Sequence, residues 1–307
     1  MASKRIKTMA TMAGAAAFVA LAIWKPTVLI YGTQQAGLYA SIAIPMGLVL
    51  GIVHIVNLAH GEFMMVAAYA AYSLSMATGM DPLIALIPTA AATSLFGFLV
   101  YRLTIRNALK APELNQLILT FGLGITLSQI TNILFTSQTR KLSLDYVSAS
   151  VTIGELSFGI WSFVFVAAAI AMTVGLKLFL TRTMMGKAAV AVGQNPRGAA
   201  IVGIDVDRTY GFIFALALAM VGAVGALFLT KSSIFPGVGG PFTMKSFCLV
   251  AMAGVGNIPG ILAASLLLGL SEAFLRVFRE LRGWADIVFF VLIIAVILGR
   301  SLKERKS

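Results

Sequence analysis

The residues best suited to chemistry form one short polar cluster, His54–Glu62, in otherwise apolar sequence. Ionisable groups are costly inside a bilayer and usually face a bundle interior or a water-filled cavity. A zinc site is not indicated, because His54 and His60 are six residues apart and would lie on different faces of a helix. The cluster could be a short cytoplasmic turn in which Asn57 caps the next helix. It could also be a break beside a translocation path, lined by Asn57, His60, Gly61 and Glu62.

A second interruption, Gly254–Gly260, divides the apolar stretch Ser246–Phe274. It holds three glycines, a proline and an amide, which are too disruptive for one straight helix. We therefore predict two half-helices joined at membrane depth, a re-entrant hairpin that needs protein or a water-filled cavity around it. Paired interruptions in the two halves of a chain indicate a transport path. The residues assigned to the path here are Gly254, Gly256, Asn257 and Gly260, and a turn with only a packing role is the alternative.

The loop Arg182–Arg208 combines small residues with glycine punctuation. This pattern predicts a short, slim helix outside the bilayer, suited to docking in the groove of a partner, although it also fits an ordinary solvated connector. Gly186-Lys187 is followed by Ala188 and lacks the upstream glycine of a phosphate-binding loop. If ATP drives this protein, another chain must bind it, and no cofactor is assigned to this one.

The composition shows what kind of elements position these residues. Of the 307 residues, 59% are hydrophobic and only 11% are charged, against roughly 25% charged in a soluble domain. A soluble globular enzyme is excluded, because too little polar material is present to cover a water-facing surface. The net charge of +12 comes from short basic clusters between apolar runs, which we interpret as membrane orientation signals and not as a nucleic-acid surface.

The fold class predicted is all-α, a polytopic membrane helix bundle with about eight spans plus one re-entrant helical hairpin. A spanning helix needs about 20 mostly apolar residues. The predicted spans are Met9–Trp24, Val28–Leu50, Phe63–Thr78, Leu83–Leu103, Leu114–Phe135, Ile160–Leu180, Tyr210–Leu229 and Ile287–Gly299.

The basic residues favour cytoplasmic N- and C-termini. If the hairpin returns to the side that it entered from, the inside segments are the N-terminus, about 102–113, about 177–209 and the C-terminus, and they carry 15 of the 23 basic residues. The first segment is either an uncleaved anchor or a signal peptide cleaved after Ala22. We therefore divide the chain into residues 1–24, an additional N-terminal anchor or signal peptide, and residues 25–307, a transmembrane domain.

Three motifs carry a family resemblance. They are Val56–Met65 with the following Ala68-Tyr69 and Ala71-Tyr72; Met185–Ala188 leading to Asn195 and Gly203–Arg208; and Ala253–Gly260. In this order and spacing the sequence resembles the permease subunits of branched-chain amino acid ABC importers, specifically the shorter, LivH-like member of the pair. The resemblance runs from about Tyr31 to Arg300.

The resemblance implies an importer of the bacterial inner membrane. A periplasmic binding protein would deliver substrate, a second permease would complete the pore, and two ATP-binding subunits would dock on coupling helices. In this chain the coupling helix would fall within Lys187–Gly203. Alternating access would follow from ATP binding and hydrolysis on the partner subunits. The residues assigned to coupling are Gly186, Lys187, Asn195, Pro196, Gly203, Asp205 and Arg208.

Other functions stay open from the sequence. Related permeases serve urea, short amides or small organic acids, and a self-sufficient secondary transporter could use Glu62 or Glu272 with an ion gradient. Glu272 could equally make an ordinary interhelical hydrogen bond. An intramembrane hydrolase would need a nucleophile–base or metal set, which two histidines and one cysteine supply poorly. We predict a transport subunit without enzymatic activity and without a metal.

Overall fold

The computed structural model describes residues 25–284 except Lys110 and Glu155, together with Ile287, Phe290, Val291 and Ile294. Its helices are α1 (Pro26–Ile52), α2 (His60–Thr78), α3 (Pro82–Val100), α4 (Arg106–Ala108), α5 (Glu113–Phe135), α6 (Phe163–Arg182), α7 (Met184–Gln194), α8 (Pro196–Ile201), α9 (Val206–Lys231), α10 (Gly240–Ala253) and α11 (Ile258–Val277). An antiparallel hairpin of β1 (Ser150–Ile153) and β2 (Leu156–Gly159) lies between α5 and α6. The anchor or signal peptide predicted for residues 1–24 and the basic tail fall outside the described residues, as does most of Ile287–Gly299.

A polytopic membrane helix bundle is confirmed. Within the described part of the chain, six helices are long and apolar enough to cross a membrane: Pro26–Ile52, Pro82–Ala108, Glu113–Phe135, Ile160–Arg182, Val206–Lys231 and Ile258–Val277. Apart from the short helices α7 and α8, two helices are not in this set. They are α2, which has 19 residues, and α10, whose 14 residues span about 21 Å and so fall short of a hydrocarbon core of about 30 Å.

The helices divide into a buried centre and an exposed periphery. In their most apolar windows, α1 and α9 bury 78% and 72% of their residues, whereas the window of Glu113–Phe135 buries 22%. Close packing at the centre depends on glycine: a Cβ on Gly222 of α9 would lie 1.8 Å from Thr93 Oγ1 of α3. Small residues let membrane helices approach in this way, so the pattern places α1 and α9 at the core.

The bundle has two distinct ends. At the first, here called the hairpin end, the β-hairpin lies over the start of α1, where Tyr31 donates a hydrogen bond to the Ser157 carbonyl at 3.1 Å. Tyr146 donates to Asp81 Oδ1 at 2.9 Å, and Asp81 caps α3. Burial and the bonded Asp81 carboxylate raise the pKa of Tyr146, so this phenol remains a donor at neutral pH.

The second end, here called the α7 end, gathers the basic loops. Arg102, Met185 and Arg208 line one groove there, and Gly193 of α7 packs beside Ile52, the last residue of α1. The segments around 102–113 and 177–209, both predicted inside, therefore meet at one end of the bundle. This arrangement agrees with the orientation predicted from the charges, and the two chain termini lie outside the described residues.

The break at Gly254–Gly260 corrects one part of the hairpin prediction. The helices on either side are unequal: α10 is half-length, whereas α11 has 20 residues and runs antiparallel to α1, with Ile261 beside Gly47 and Leu270 beside Gly32. A Cβ on Gly51 would lie 2.9 Å from Gly256 Cα, so the break lies at the α7 end and not at membrane depth. As expected, the chain returns to the side of the bundle from which it entered. Lys231, at the end of α9, and Val277, at the end of α11, line the same cavity.

Candidate functional site

Helix α2 begins halfway through the bundle. His60 Nε2 lies 2.8 Å from the Ile42 carbonyl, and Ile42 is ten residues, or about 15 Å, from the end of α1. Gly124 packs beside Ala59 and is eleven residues, or about 16 Å, from the start of α5. Both measures place the start of α2 near the middle of a core about 30 Å thick.

Helix α10 begins at the same depth, in direct contact with α2. The backbones of Gly61 and Gly239 touch: a Cβ on Gly61 would lie 2.0 Å from the Gly239 carbonyl, and a Cβ on Gly239 would lie 2.2 Å from the Gly61 carbonyl. Thr243 Oγ1 accepts a hydrogen bond from the Gly61 N–H at 2.7 Å. A side chain therefore does not fit at Gly61 or at Gly239. Two helix N-termini, the positive ends of the helix dipoles, lie together at this point.

Three polar side chains surround this meeting point. Asn57, His60 and Glu62 are all buried, and each retains one polar atom without a hydrogen-bond partner in the described part of the chain: Asn57 Nδ2, His60 Nδ1 and Glu62 Oε2. The other atoms of these groups are engaged. Asn57 Oδ1 accepts from the Ala59 N–H at 3.1 Å, and the Glu62 carboxyl faces the N–H of Gly240. Buried polar atoms are normally satisfied, so three orphaned atoms within six residues indicate a functional site.

The structure has features of both interpretations of the His54–Glu62 cluster. The segment is a turn, as the first interpretation holds, and the Asn57 carbonyl accepts from the His60 N–H at 3.2 Å. The side chain of Asn57 does not cap α2, however, and the turn is buried at mid-depth. The structure thus brings Asn57, His60, Gly61 and Glu62 together.

The second element of the site is Gly237–Gly240, which sequence reasoning missed. Gly254, Gly256, Asn257 and Gly260, which were assigned to the same path, lie at the α7 end instead. There Gly254 and Gly256 have φ of 89° and 79°, and Asn257 caps α11 through the Gly260 N–H at 3.1 Å. The signal that could have found Gly237–Gly240 is the run Phe235-Pro236-Gly237-Val238-Gly239-Gly240-Pro241, which has three glycines and two prolines.

A buried ionic cluster ties α1, α10 and α11 together near the site. Lys245 Nζ lies 2.9 Å from Glu272 Oε1, Tyr39 donates to Glu272 Oε2 at 2.7 Å, and Lys245 donates to the Tyr39 hydroxyl at 2.8 Å. The expected interhelical hydrogen bond of Glu272 is confirmed. Sequence reasoning missed Lys245, whose signal is a single lysine within the apolar segment Gly240–Ala253.

A cavity of about 470 Å³ opens at the hairpin end of α1 and α11. Its polar lining residues come from three helices and are Thr27, Tyr31, Gln34, Gln35, Lys231, Glu272 and Arg276. Glu272 belongs both to this lining and to the ionic cluster, which connects the cavity to the middle of the bundle. Among the described residues, no group of three or more His, Cys, Asp or Glu side chains could hold a metal ion.

The loop between α6 and α9 forms two short helices, α7 and α8, where one was expected. Two of the residues assigned to coupling cap helices here. Asn195 accepts a hydrogen bond from the Gly198 N–H at 2.9 Å at the start of α8, and Asp205 accepts one from the Arg208 N–H at 3.0 Å at the start of α9. Gly186 packs against Phe179, where a Cβ would lie 2.0 Å from the carbonyl oxygen. The upper bound of the expected helix is wrong, because Gly203 has a φ of +87° and lies in the turn after α8.

The same loop carries exposed apolar side chains that the sequence analysis did not single out. Ile201 and Val202 are 86% and 75% exposed, and they follow the exposed polar residues Gln194, Asn195 and Arg197. Exposed apolar residues rimmed by polar ones mark interaction sites. The position outside the candidate spans makes this patch accessible to a water-soluble partner.

Comparison with known proteins adds to this geometry. Residues 28–297 match the family described as "Branched-chain amino acid transport system / permease component". The high-affinity branched-chain amino acid transport system permease protein BraD of Pseudomonas aeruginosa is 32% identical over 289 residues, 89% of this chain and 92% of its own. The permease protein LivH of the corresponding system in Escherichia coli is 28% identical over 287 residues, 87% of this chain and 91% of its own. A solved structure, PsaBC from Streptococcus pneumoniae in complex with Fab, covers 92% of this chain and 94% of its own at 14% identity and a TM-score of 0.47.

Proposed function

Because the chain belongs to the family of permease components of branched-chain amino acid transport systems, we propose that it is one membrane subunit of an ABC importer for branched-chain amino acids. It forms the pore with a second permease. Two separate ATP-binding subunits drive it, and a periplasmic binding protein delivers the substrate. It lies in the bacterial inner membrane with the α7 end in the cytoplasm, and residues 25–307 form the permease domain behind an additional segment, 1–24.

The observation that supports a transport path is the contact between the N-termini of α2 and α10 near the middle of the membrane. Asn57, His60, Gly61 and Glu62 line the path at this level. The buried, unpartnered polar atoms of Asn57, His60 and Glu62 bind water or solute when the path opens. An amino acid carries one carboxylate and one ammonium group. The N-termini of α2 and α10 favour the carboxylate, and the Glu62 carboxylate favours the ammonium.

Alternating access then requires the half-helix α10 to move against α2. Its two ends are suited to this motion, because each adjoins glycines in backbone conformations that side chains rarely adopt: Gly237 before α10, and Gly254 and Gly256 after it. In this proposal Gly254, Gly256, Asn257 and Gly260 form the cytoplasmic joint of the path. The polar cavity lined by Lys231 and Arg276 at the hairpin end receives the substrate from the binding protein.

The ATP-binding subunits contact α7 and α8. The capping residues of this loop set its shape, while Ile201 and Val202 supply the apolar contact and Lys187 and Arg197 surround it. Within the assembly, this chain transports and does not catalyse. Uptake that continued without any ATP-binding subunit would instead favour a secondary transporter.

Co-purification tests the assembly. From cells that express all subunits, the wild-type chain should recover a second permease and an ATP-binding subunit and should support ATP-dependent leucine uptake in proteoliposomes. The Ile201→Ser/Val202→Ser variant should lose the ATP-binding subunit, because two exposed apolar contacts are removed. Phe235→Ser, at the opposite end, is the matched control and should retain it. A wild-type chain that purifies alone would contradict the assignment, and full recovery with the double variant would contradict the docking site.

Glu62→Gln tests the path. The amide keeps the shape of the side chain but removes its charge, and a hydrogen bond to a charged group contributes about 1.5–3 kcal/mol. We expect leucine uptake to fall by roughly ten- to a hundredfold with assembly intact. Glu113→Gln, on an exposed acid in the first turn of α5, should leave uptake unchanged. Wild-type uptake by Glu62→Gln would remove this carboxylate from the path.

A further inference from the structure

A large groove lies between α3 and α9 at the α7 end, apart from the path and from the ionic cluster. Its volume is about 1030 Å³. On the α3 side it is lined in succession by Ala91, Leu95 and Phe98, and on the α9 side by Phe212. Leu95 is 63% exposed. These residues belong to membrane-crossing helices, so the apolar part of the groove opens toward the hydrocarbon.

The end of the groove is cationic. Arg102, Arg106 and Arg208 line it together with Asp205 and Asp207. A π-helical turn, Tyr101–Ile105, continues α3 at this point. Arg102 and Arg106 are four residues, about one turn, apart, and both line the groove.

The two acids are already engaged. Asp207 Oδ1 lies 2.9 Å from Arg106 Nε and accepts from the Tyr101 hydroxyl at 2.9 Å, and Asp205 caps α9. Arg102 and Arg208 form no ion pair with any residue of the described ranges, and both are exposed. Two guanidinium groups are therefore available to an anion. The neighbouring carboxylate of Asp205 already accepts a backbone hydrogen bond from Arg208.

The dimensions of the groove match one leaflet of a bilayer. Ala91 and Arg102 are eleven residues apart, which is about 16 Å along a helix, close to half of a hydrocarbon core of about 30 Å. With Ala91 near the bilayer midplane, the guanidinium groups stand at the level of the lipid phosphates. Basic pockets between membrane helices at the cytoplasmic side are suited to anionic headgroups.

We propose that this groove binds one anionic phospholipid of the cytoplasmic leaflet, with its acyl chains against Leu95, Phe98 and Phe212 and its phosphate between Arg102 and Arg208. A water-soluble ATP-binding subunit does not fit, because the apolar floor lies within the membrane-crossing part of both helices. Arg208, which the family resemblance assigned to coupling, therefore contacts lipid in this proposal. The inference depends on the membrane fold and not on the substrate transported.

Lipid binding to the purified full-length chain tests the proposal, measured by native mass spectrometry and by thermal unfolding in detergent. Phosphatidylglycerol should be retained and should raise the unfolding temperature, whereas phosphatidylcholine and inorganic phosphate alone should not. Arg102→Gln/Arg208→Gln should weaken phosphatidylglycerol binding on the order of 30-fold. Each cation near an anionic lipid surface raises the affinity roughly fivefold, and two such cations are removed. Arg182→Gln/Arg197→Gln, on exposed cations outside the groove, should bind as the wild type does.

Three results would overturn the proposal: equal retention of phosphatidylglycerol and phosphatidylcholine, unchanged phosphatidylglycerol binding by the Arg102/Arg208 variant, or equal stabilisation by inorganic phosphate. In the purified assembly, efficient cross-linking of Leu95→Cys to another subunit would also overturn it, because a protein would then fill the groove. None of these measurements involves leucine or ATP, so a failure here is distinct from a failure of the transport assignment.

Discussion

Gly61→Ala is expected to abolish leucine uptake and to lower the free energy of unfolding by at least about 1–3 kcal/mol, the usual cost of overpacking a filled interior. The new Cβ would lie 2.0 Å from the Gly239 carbonyl and 2.7 Å from Thr243 Oγ1. The Gly239 carbonyl belongs to the backbone and cannot rotate aside, so α10 must move away from α2. That movement would displace the N–H of Gly240 from Glu62.

The matched control is Gly175→Ala, in the middle of α6, where a Cβ has no atom within 4 Å. Alanine is favoured over glycine in a helix by up to about 1 kcal/mol, so this variant should be neutral or slightly more stable. Thermal unfolding and uptake should be measured on both proteins. If Gly61→Ala unfolds and transports as Gly175→Ala does, the contact between α2 and α10 has no role in the site.

Lys245→Met is expected to destabilise the protein by about 3–5 kcal/mol, because it leaves the Glu272 carboxylate buried without its principal cation. Glu272 is 0% exposed and, without Lys245, keeps only the more distant Arg276 guanidinium, 4.0 Å from its Oε2. A decrease of this size in the free energy of unfolding should be evident in thermal or denaturant unfolding of the purified protein.

The double variant Lys245→Met/Glu272→Met separates the charge from the packing. Replacing both partners of a buried ion pair by apolar residues is often neutral or stabilising, so the double variant should recover most of the lost stability. As a control, Arg106→Met breaks the half-exposed pair with Asp207 and should cost only about 0–1 kcal/mol. A double variant no more stable than Lys245→Met would show that the lysine acts through packing alone.

The sequence by itself determined the class of protein, the family and most of the long apolar helices to within a few residues. Long apolar runs with few charges leave no alternative to a membrane bundle, since backbone groups in lipid must be satisfied within helices. Capping is local chemistry, since Asn195 and Asp205 act on backbone groups three residues away, yet the one cap suggested from the sequence, Asn57, does not cap α2. The residue types around Glu62 also predict a functional segment, and this stays a prediction.

Tertiary structure alone decided at what depth each break lies and what it meets. The contact of Gly61 with Gly239 and the pairing of Tyr39 with Glu272 join residues far apart in sequence, and no local pattern encodes such a distance. Gly254–Gly260 and Gly237–Gly240 are both rich in glycine, yet only the second meets Glu62. The reason is physical: glycine and proline specify where a helix must stop, whereas the packing of neighbouring helices specifies how deep in the membrane it stops.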